Sequence, residues 1–125
     1  MSKKIHAISW ELIDGINESA RSCYPQEFLC LLRQNDGVVD EMLLIPGTVY
    51  GDSHGFLNVW MSPIDPQIAG TVHSHPGYHN DPSDDDLDFF SSWGGVHIIT
   101  CQPYDRTSWK AYDSKGRELE PEMAD

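Results

Sequence analysis

Two histidines separated by one residue are the part of this sequence whose side chains could hold a metal or move a proton. His73 and His75 follow the segment 70–72, and Pro76 comes directly after them. If residues 70–72 are extended, both imidazoles point to the same side, because side chains alternate along a strand. Pro76 stops the strand, so the pair is predicted at a strand end, where sites collect in α/β sheets. On this pair alone, a metal site and two ordinary surface histidines are both open.

An acidic residue eleven positions after His75 favours a metal site. If a helix begins at Ser83, Asp86 lies in its first turn, and the intervening loop can fold this helix start over the strand end. Two imidazoles and one carboxylate leave a fourth tetrahedral position open for water, which is the form of a catalytic zinc site. We therefore predict one Zn²⁺ per chain, held by His73, His75 and Asp86.

Two alternatives to this ligand set remain open. Ser83 and Asp86 stand at the spacing of a capping box, in which the two side chains only cap a helix, although one serine can cap and also act. His79 could be the third ligand in place of Asp86. Ser74 and Pro76 are expected to shape the loop and to take no part in chemistry.

Other families with an H-x-H pair fit this sequence poorly. A metallo-β-lactamase motif needs Asp and His where Gly77 and Tyr78 stand. A cupin needs Glu shortly after the pair, and a zinc nucleoside deaminase needs H-x-E and P-C-x-x-C, none of which occurs. A TIM-barrel amidohydrolase needs about twice the length of this chain. The three cysteines, an odd number without a C-x-x-C, indicate neither a disulfide framework nor a cysteine zinc site.

The balance of charge limits the partners. The 125 residues include 20 acids and 8 bases, for a formal net charge of −12. Such a surface repels nucleic acid and anionic membranes, so neither is expected as a partner, and it suits a saline cytoplasm. No apolar run is long enough for a membrane span or a signal peptide, so we expect a cytoplasmic protein. The acidic tail from about residue 119 is expected to fray.

Apolar periodicity predicts a chain of helices and strands. Residues 8–23 carry an apolar face at three- and four-residue spacing, with Ser9 near the helix start, and residues 83–93 also look helical. Strands are predicted at 27–32, 38–45, 56–61, 68–72, 96–101, 108–112 and 117–120. This order indicates the α/β class, a mixed β-sheet flanked by helices, in a single domain over residues 1–125.

The spacing of the candidate residues resembles the JAMM motif of MPN+ metallopeptidases. The run His73-Ser74-His75-Pro76, six further residues and Ser83-x-x-Asp86 match that motif. Glu27 stands where the family has an upstream glutamate, at the join of the first helix and the first strand. The later strands also resemble those of short archaeal members, so the resemblance covers nearly the whole chain. It implies a JAB1/MPN fold, which is cytidine-deaminase-like.

The resemblance implies a function and a role for each residue. Family members cleave isopeptide or peptide bonds after the C-terminal glycines of ubiquitin and ubiquitin-like proteins, so conjugates of a ubiquitin-like protein are the expected partners. Glu27 would be the general base and Ser83 would stabilise an oxyanion. Without the family, Glu27 is simply an acid at a strand edge. Two other functions stay open: trimming of a sulfur-carrier ubiquitin-like protein beyond its Gly-Gly end, and a non-catalytic MPN module that binds a ubiquitin-like protein.

Overall fold

The computed structural model describes residues 5–43 and 67–125, and the strand expected at 56–61 lies outside them. The described strands are β1 (Ala7–Ser9), β2 (Leu29–Asn35), β3 (Val38–Leu43), β4 (Ile68–Ser74), β5 (Val96–Thr100), β6 (Trp109–Tyr112), β7 (Glu118–Leu119) and β8 (Glu122–Ala124). The described helices are α1 (Trp10–Cys23) and α2 (Asp84–Trp93). The strands form one sheet in the order β7-β6-β5-β4-β2-β3-β1-β8, in which parallel and antiparallel pairs are mixed. The predicted α/β class, a mixed sheet flanked by helices, is confirmed.

Side chains alternate along the central strands, so these strands present apolar side chains on both faces of the sheet. One helix packs on each face. Leu29 and Leu31 of β2 face α2, whereas the residues next to them in the strand join the apolar cluster under α1. His73 also lies on the α2 face, where its ring centroid is 6.3 Å from that of Phe90. The candidate residues of β4 and α2 therefore share one face.

Helix α1 begins where a serine can cap it. Ser9 accepts a hydrogen bond from the Leu12 N–H at 3.3 Å, which agrees with the predicted start. The helix starts at Trp10 and not at residue 8, because residues 7–9 are buried and pair with strands on both sides. Of the described helices, neither has the length and apolar character needed to cross a membrane.

The hairpin of β2 and β3 shifts a predicted boundary that matters for the site. Strand β2 begins at Leu29, so Glu27 lies two residues before the strand and not inside it.

Asp36 and Gly37, between β2 and β3, have φ values of 52° and 85°, both in the left-handed region. Two such residues in succession are typical of a tight hairpin turn.

The close contact between β4 and β5 depends on Gly70. Its φ is 157°, and a Cβ at this position would lie 1.6 Å from the carbonyl oxygen of Val96. A residue with a side chain could not approach so closely. The contact sets the register in which His73 pairs with Ile99.

The C-terminal tail includes strand β8, and that the tail frays stays a prediction. Strand β8 pairs in parallel with β1, and Met123 packs against the apolar cluster under α1. Strands β7 and β8 lie at opposite ends of the strand order although two residues separate them, so the sheet is strongly curled.

Candidate metal centre

The structure brings His73 and His75 together at the end of β4. His73 lies in the sheet between Leu29 of β2 and Ile99 of β5, and its side chain is 1% exposed. His75 lies one residue beyond the strand, and its N–H donates to the Thr100 carbonyl at 2.8 Å. The two Nε2 atoms are 3.2 Å apart. Both imidazoles therefore point to one side, as the alternation along the strand predicts.

Asp86 reaches the two histidines from the first turn of α2. Its Oδ1 lies 3.1 Å from the Nε2 of His73, and its Oδ2 lies 3.1 Å from the Nε2 of His75. The capping box is also present, because the Asp86 N–H donates to the Ser83 Oγ and the Ser83 N–H donates to the Asp86 Oδ2. The Asp86 side chain therefore caps α2 and also reaches the two histidines. That these three residues hold a metal stays a prediction.

The arrangement of donor atoms fits a zinc ion. Two ligands about 2.0–2.1 Å from a tetrahedral zinc are themselves about 3.3 Å apart. The separations of 3.1–3.2 Å among the two Nε2 atoms and the carboxylate oxygens are close to that value. The other ring nitrogen of His75, Nδ1, donates to the His79 carbonyl at 3.0 Å, so in the neutral imidazole Nε2 is the nitrogen available to a metal. His79 thus takes part through its backbone, while its side chain is exposed.

The charges of the site suit a cation. Burial raises the pKa of the Asp86 carboxyl, but hydrogen bonds from His73, His75 and the Ser83 N–H outweigh burial and hold that pKa well below its usual range. Burial lowers the pKa of His75, but its hydrogen bonds to Asp86 and the His79 carbonyl, together with the negative charges of Asp86 and Glu27, outweigh burial, so the net shift of that pKa is upward. Asp86 is therefore an anion at neutral pH, the form in which a carboxyl group binds a metal.

Glu27 lies beside the same two histidines. One of its carboxylate oxygens and a ring nitrogen from each of His73 and His75 lie within 4.8 Å of one another. Ser74 holds the backbone next to Glu27, because its Oγ accepts the Phe28 N–H at 2.8 Å and its N–H donates to the Phe28 carbonyl at 2.9 Å. Sequence reasoning gave Ser74 a part in loop shape alone. Ser74 lies between His73 and His75 in the sequence, so its side chain points to the opposite side of the strand from theirs. That alternation was the signal for a contact on the opposite side.

Sequence reasoning missed the residues that hold the loop 76–83. The Gln102 N–H donates to the Gly77 carbonyl at 2.9 Å, and its side-chain amide donates to the Pro76 carbonyl at 2.6 Å. The Tyr112 hydroxyl donates to the Asn80 carbonyl at 2.8 Å. The available signal was that Gln102 and Tyr112 carry polar groups at the ends of apolar strands. Neither residue belongs to a motif.

Comparison with known proteins finds relatives over almost the whole chain. A family model described as prokaryotic homologs of the JAB domain matches residues 10–112. A probable metalloprotease of Haloferax volcanii is 34% identical over 134 residues, which cover 99% of this chain and 83% of that relative.

Solved structures also resemble the chain. A JAB1/MPN domain protein from Archaeoglobus fulgidus superimposes with a TM-score of 0.79 and 39% identity, over 95% of this chain and 99% of the other. A structure of JAMM, a metalloprotease-like zinc site in the proteasome and signalosome, has a TM-score of 0.77 and 37% identity, over 98% of this chain and 100% of the other. A protein from Desulfitobacterium hafniense shares the fold at 19% identity, with a TM-score of 0.57 over 94% of this chain and 90% of the other. The fold that the motif implies is confirmed.

Proposed function

The chain belongs to the prokaryotic homologs of the JAB domain, among the JAMM/MPN+ metalloproteases, and we propose that it cleaves the isopeptide or peptide bond after the C-terminal Gly-Gly of a ubiquitin-like modifier. The family implies a metal-dependent hydrolase with a zinc site. The observation that carries the proposal is the convergence of Glu27, His73 and His75, whose ligating atoms lie within 4.8 Å of one another. Asp86 completes the group from the start of α2.

Three of these residues would hold the metal. His73, His75 and Asp86 present two neutral nitrogens and one anionic oxygen, the donor set of a catalytic zinc site with a position left for water. Zinc bound there supplies a Lewis acid, which lowers the pKa of a water and polarises a carbonyl. Because His73 and Asp86 are both 1% exposed, the protein holds these donors away from bulk solvent.

Glu27 is the proposed general base. Its carboxylate lies beside the histidines and is partly exposed, so it can accept a proton from the attacking water. The same carboxylic acid then returns the proton to the leaving nitrogen, which is a lysine ε-amine or a backbone amine. The paired hydrogen bonds between Phe28 and Ser74 keep the backbone next to Glu27 in place during both proton transfers.

Ser83 is the proposed oxyanion donor. Its Oγ already accepts the Asp86 N–H at 3.1 Å, so the hydroxyl proton remains for donation to another oxygen. Ser83 is exposed and caps the N-terminus of α2, where the helix dipole also favours negative charge. A preorganised donor of this kind stabilises the charge that develops on a carbonyl oxygen during attack.

Two matched substrates test the proposal. Both carry the same ubiquitin-like protein ending in Gly-Gly, joined to a lysine ε-amine in one and to a backbone amine of a C-terminal fusion in the other. We expect about one zinc per chain, cleavage after the second glycine as identified by mass, and loss of cleavage with a chelator that added zinc restores.

Each other outcome points elsewhere. A purified protein that binds no zinc and cleaves neither substrate, even with zinc added, would refute the proposal. Cleavage of the fusion alone would favour trimming of a sulfur-carrier protein. Zinc binding and substrate binding without cleavage would favour a non-catalytic MPN module.

The base is tested by Glu27→Gln. This variant should keep its zinc but lose turnover by about 10²–10⁴-fold, because the amide cannot accept the proton. Glu11→Gln is the control, since it makes the same change at an exposed acid in the first turn of α1. If Glu27→Gln cleaves at a rate near that of the wild type, Glu27 is not the base.

A further inference from the structure

The backbone of His75 is held by residues from a distant part of the chain. The hydroxyl of Tyr104 donates to the His75 carbonyl oxygen at 3.0 Å. On the other side, the His75 N–H donates to the Thr100 carbonyl at 2.8 Å. His73 lies inside β4 and pairs with two strands, whereas His75 lies beyond the strand end. The position of His75 therefore depends on these individual hydrogen bonds more than that of His73 does.

Tyr104 is itself held in an unusual conformation. Its φ is 58°, in the left-handed region that bulky residues rarely adopt. The Arg21 guanidinium donates to its carbonyl oxygen, and the Tyr24 ring meets its ring edge-on with centroids 6.4 Å apart. Backbone strain of this kind is found mainly where a site requires it. The contacts with Arg21 and Tyr24 therefore hold Tyr104 in the position from which its hydroxyl reaches His75.

Burial excludes Tyr104 from contact with a substrate. The residue is 4% exposed, and its hydroxyl points at the backbone of His75. Any influence on the reaction must therefore pass through the histidine. The Nε2 of His75 has to lie 3.1 Å from Asp86 and 3.2 Å from His73, so a small rotation of its backbone would disturb the donor set.

We propose that Tyr104 is a positioning residue, which fixes the backbone of His75 so that its imidazole meets His73 and Asp86 at the metal site. The inference rests on the metal site proposed above. Residues that orient metal ligands through hydrogen bonds typically change metal affinity by about 10–100-fold when they are replaced. A tyrosine that only stabilised the loop 101–108 would not affect metal affinity.

Tyr104→Phe removes one hydroxyl and keeps the ring. In the full-length protein, the dissociation constant for zinc, measured by competition with a chromogenic chelator, should rise about tenfold. The His75 amide should exchange hydrogen faster than in the wild type, since the adjacent carbonyl is no longer held. The value of kcat should fall while KM stays nearly the same, because Tyr104 does not touch the substrate.

Ser108→Ala is the matched control in the same loop. The Ser108 hydroxyl accepts the Asp105 N–H at 2.9 Å and contacts the Asp105 carbonyl at 3.2 Å, both within the loop. This variant should lower the melting temperature and leave the dissociation constant for zinc unchanged. Equal weakening of zinc binding in both variants would overturn the inference, because loop stability would then explain it.

The outcomes separate this inference from the proposed function. If the wild type binds zinc and Tyr104→Phe binds it equally well, Tyr104 does not position His75, and the metal site stands. If the wild type binds no zinc, the proposed function itself fails. Should Tyr104→Phe be too unstable to purify, Arg21→Gln frees the Tyr104 carbonyl and should weaken zinc binding in the same direction, and unchanged binding there would refute the inference.

Discussion

Ser83 and Asp86 join helix capping to the chemistry of the site through the same atoms. The Asp86 Oδ2 accepts the Ser83 N–H at 2.9 Å and lies 3.1 Å from the Nε2 of His75. The cap therefore orients the carboxylate towards the histidines, and α2 begins where the site needs an anion. A substitution at either residue changes stability and function together, so a test at the scale of single residues must separate the two.

Ser83→Ala separates them when it is compared with a second cap. Loss of the N-cap hydroxyl should lower the free energy of unfolding by about 1 kcal/mol. Loss of the proposed oxyanion donor should lower kcat by about 10²–10³-fold, and Ser83→Thr should restore both quantities. Unfolding in urea and cleavage of the lysine-linked conjugate measure the two effects.

Ser9→Ala is the control because Ser9 caps α1 in the same way, by accepting the Leu12 N–H. It should cost a similar amount of stability and leave kcat unchanged. If Ser9→Ala lowered kcat as much as Ser83→Ala does, the loss would come from reduced stability and Ser83 would have no role in the reaction.

At the scale of elements, α2 is held on the sheet by a buried histidine of β5. The Nε2–H of His97 donates to the Gly94 carbonyl at 2.7 Å, so its Nδ1 accepts the Thr71 hydroxyl at 2.6 Å. Its ring stacks on Phe90 with centroids 4.3 Å apart and planes 12° from parallel. One neutral tautomer satisfies both contacts, and burial lowers the pKa of His97 to about 4. The end of α2 opposite the site is thus held by an uncharged imidazole.

This burial makes stability depend on pH. The pKa of His97 is about 4 in the folded protein against an ordinary value of 6.5, so the unfolded chain takes up a proton first as the pH falls. The free energy of unfolding therefore falls progressively as the pH drops from 6.5 towards 4. Between pH 7 and pH 5 this loss amounts to about 2 kcal/mol. His97→Gln should show a smaller loss over that interval, measured by urea unfolding at each pH. Identical pH dependence in the two proteins would show that His97 is not the group responsible.

Local pattern accounts for part of the fold and of the site. Periodicity predicted both helices and the longer described strands, because burial of one face leaves a repeat in the sequence. It missed β1 and β8, since strands of three residues carry little pattern and form by pairing the two ends of the chain. Motif spacing predicted the meeting of His73, His75 and Asp86. The contact between the Tyr104 hydroxyl and the His75 carbonyl spans 29 positions, so no local sequence pattern predicts it.

At the scale of the whole molecule, charge is unbalanced. Acids outnumber bases by 20 to 8 in the sequence. In the described residues, bases that contact acids are Arg21, Arg33, Arg106, Lys110 and Arg117. Exposed pairs of this kind contribute little to stability. Because acids are in excess, the negative charges repel one another in the compact state, and salt screens that repulsion.

We therefore expect added KCl to stabilise the fold. Between 0.1 and 1 M the screening length falls from about 10 Å to about 3 Å. The melting temperature should rise by about 4 °C, which corresponds to about 1 kcal/mol for a domain of this size. The double variant Glu120→Gln and Glu122→Gln removes two exposed charges near the C-terminus, so it should melt higher at low salt and gain less from KCl. Salt can also strengthen apolar burial, but that effect would be the same in both proteins. Equal gains would therefore show that the acidic surface does not destabilise this fold.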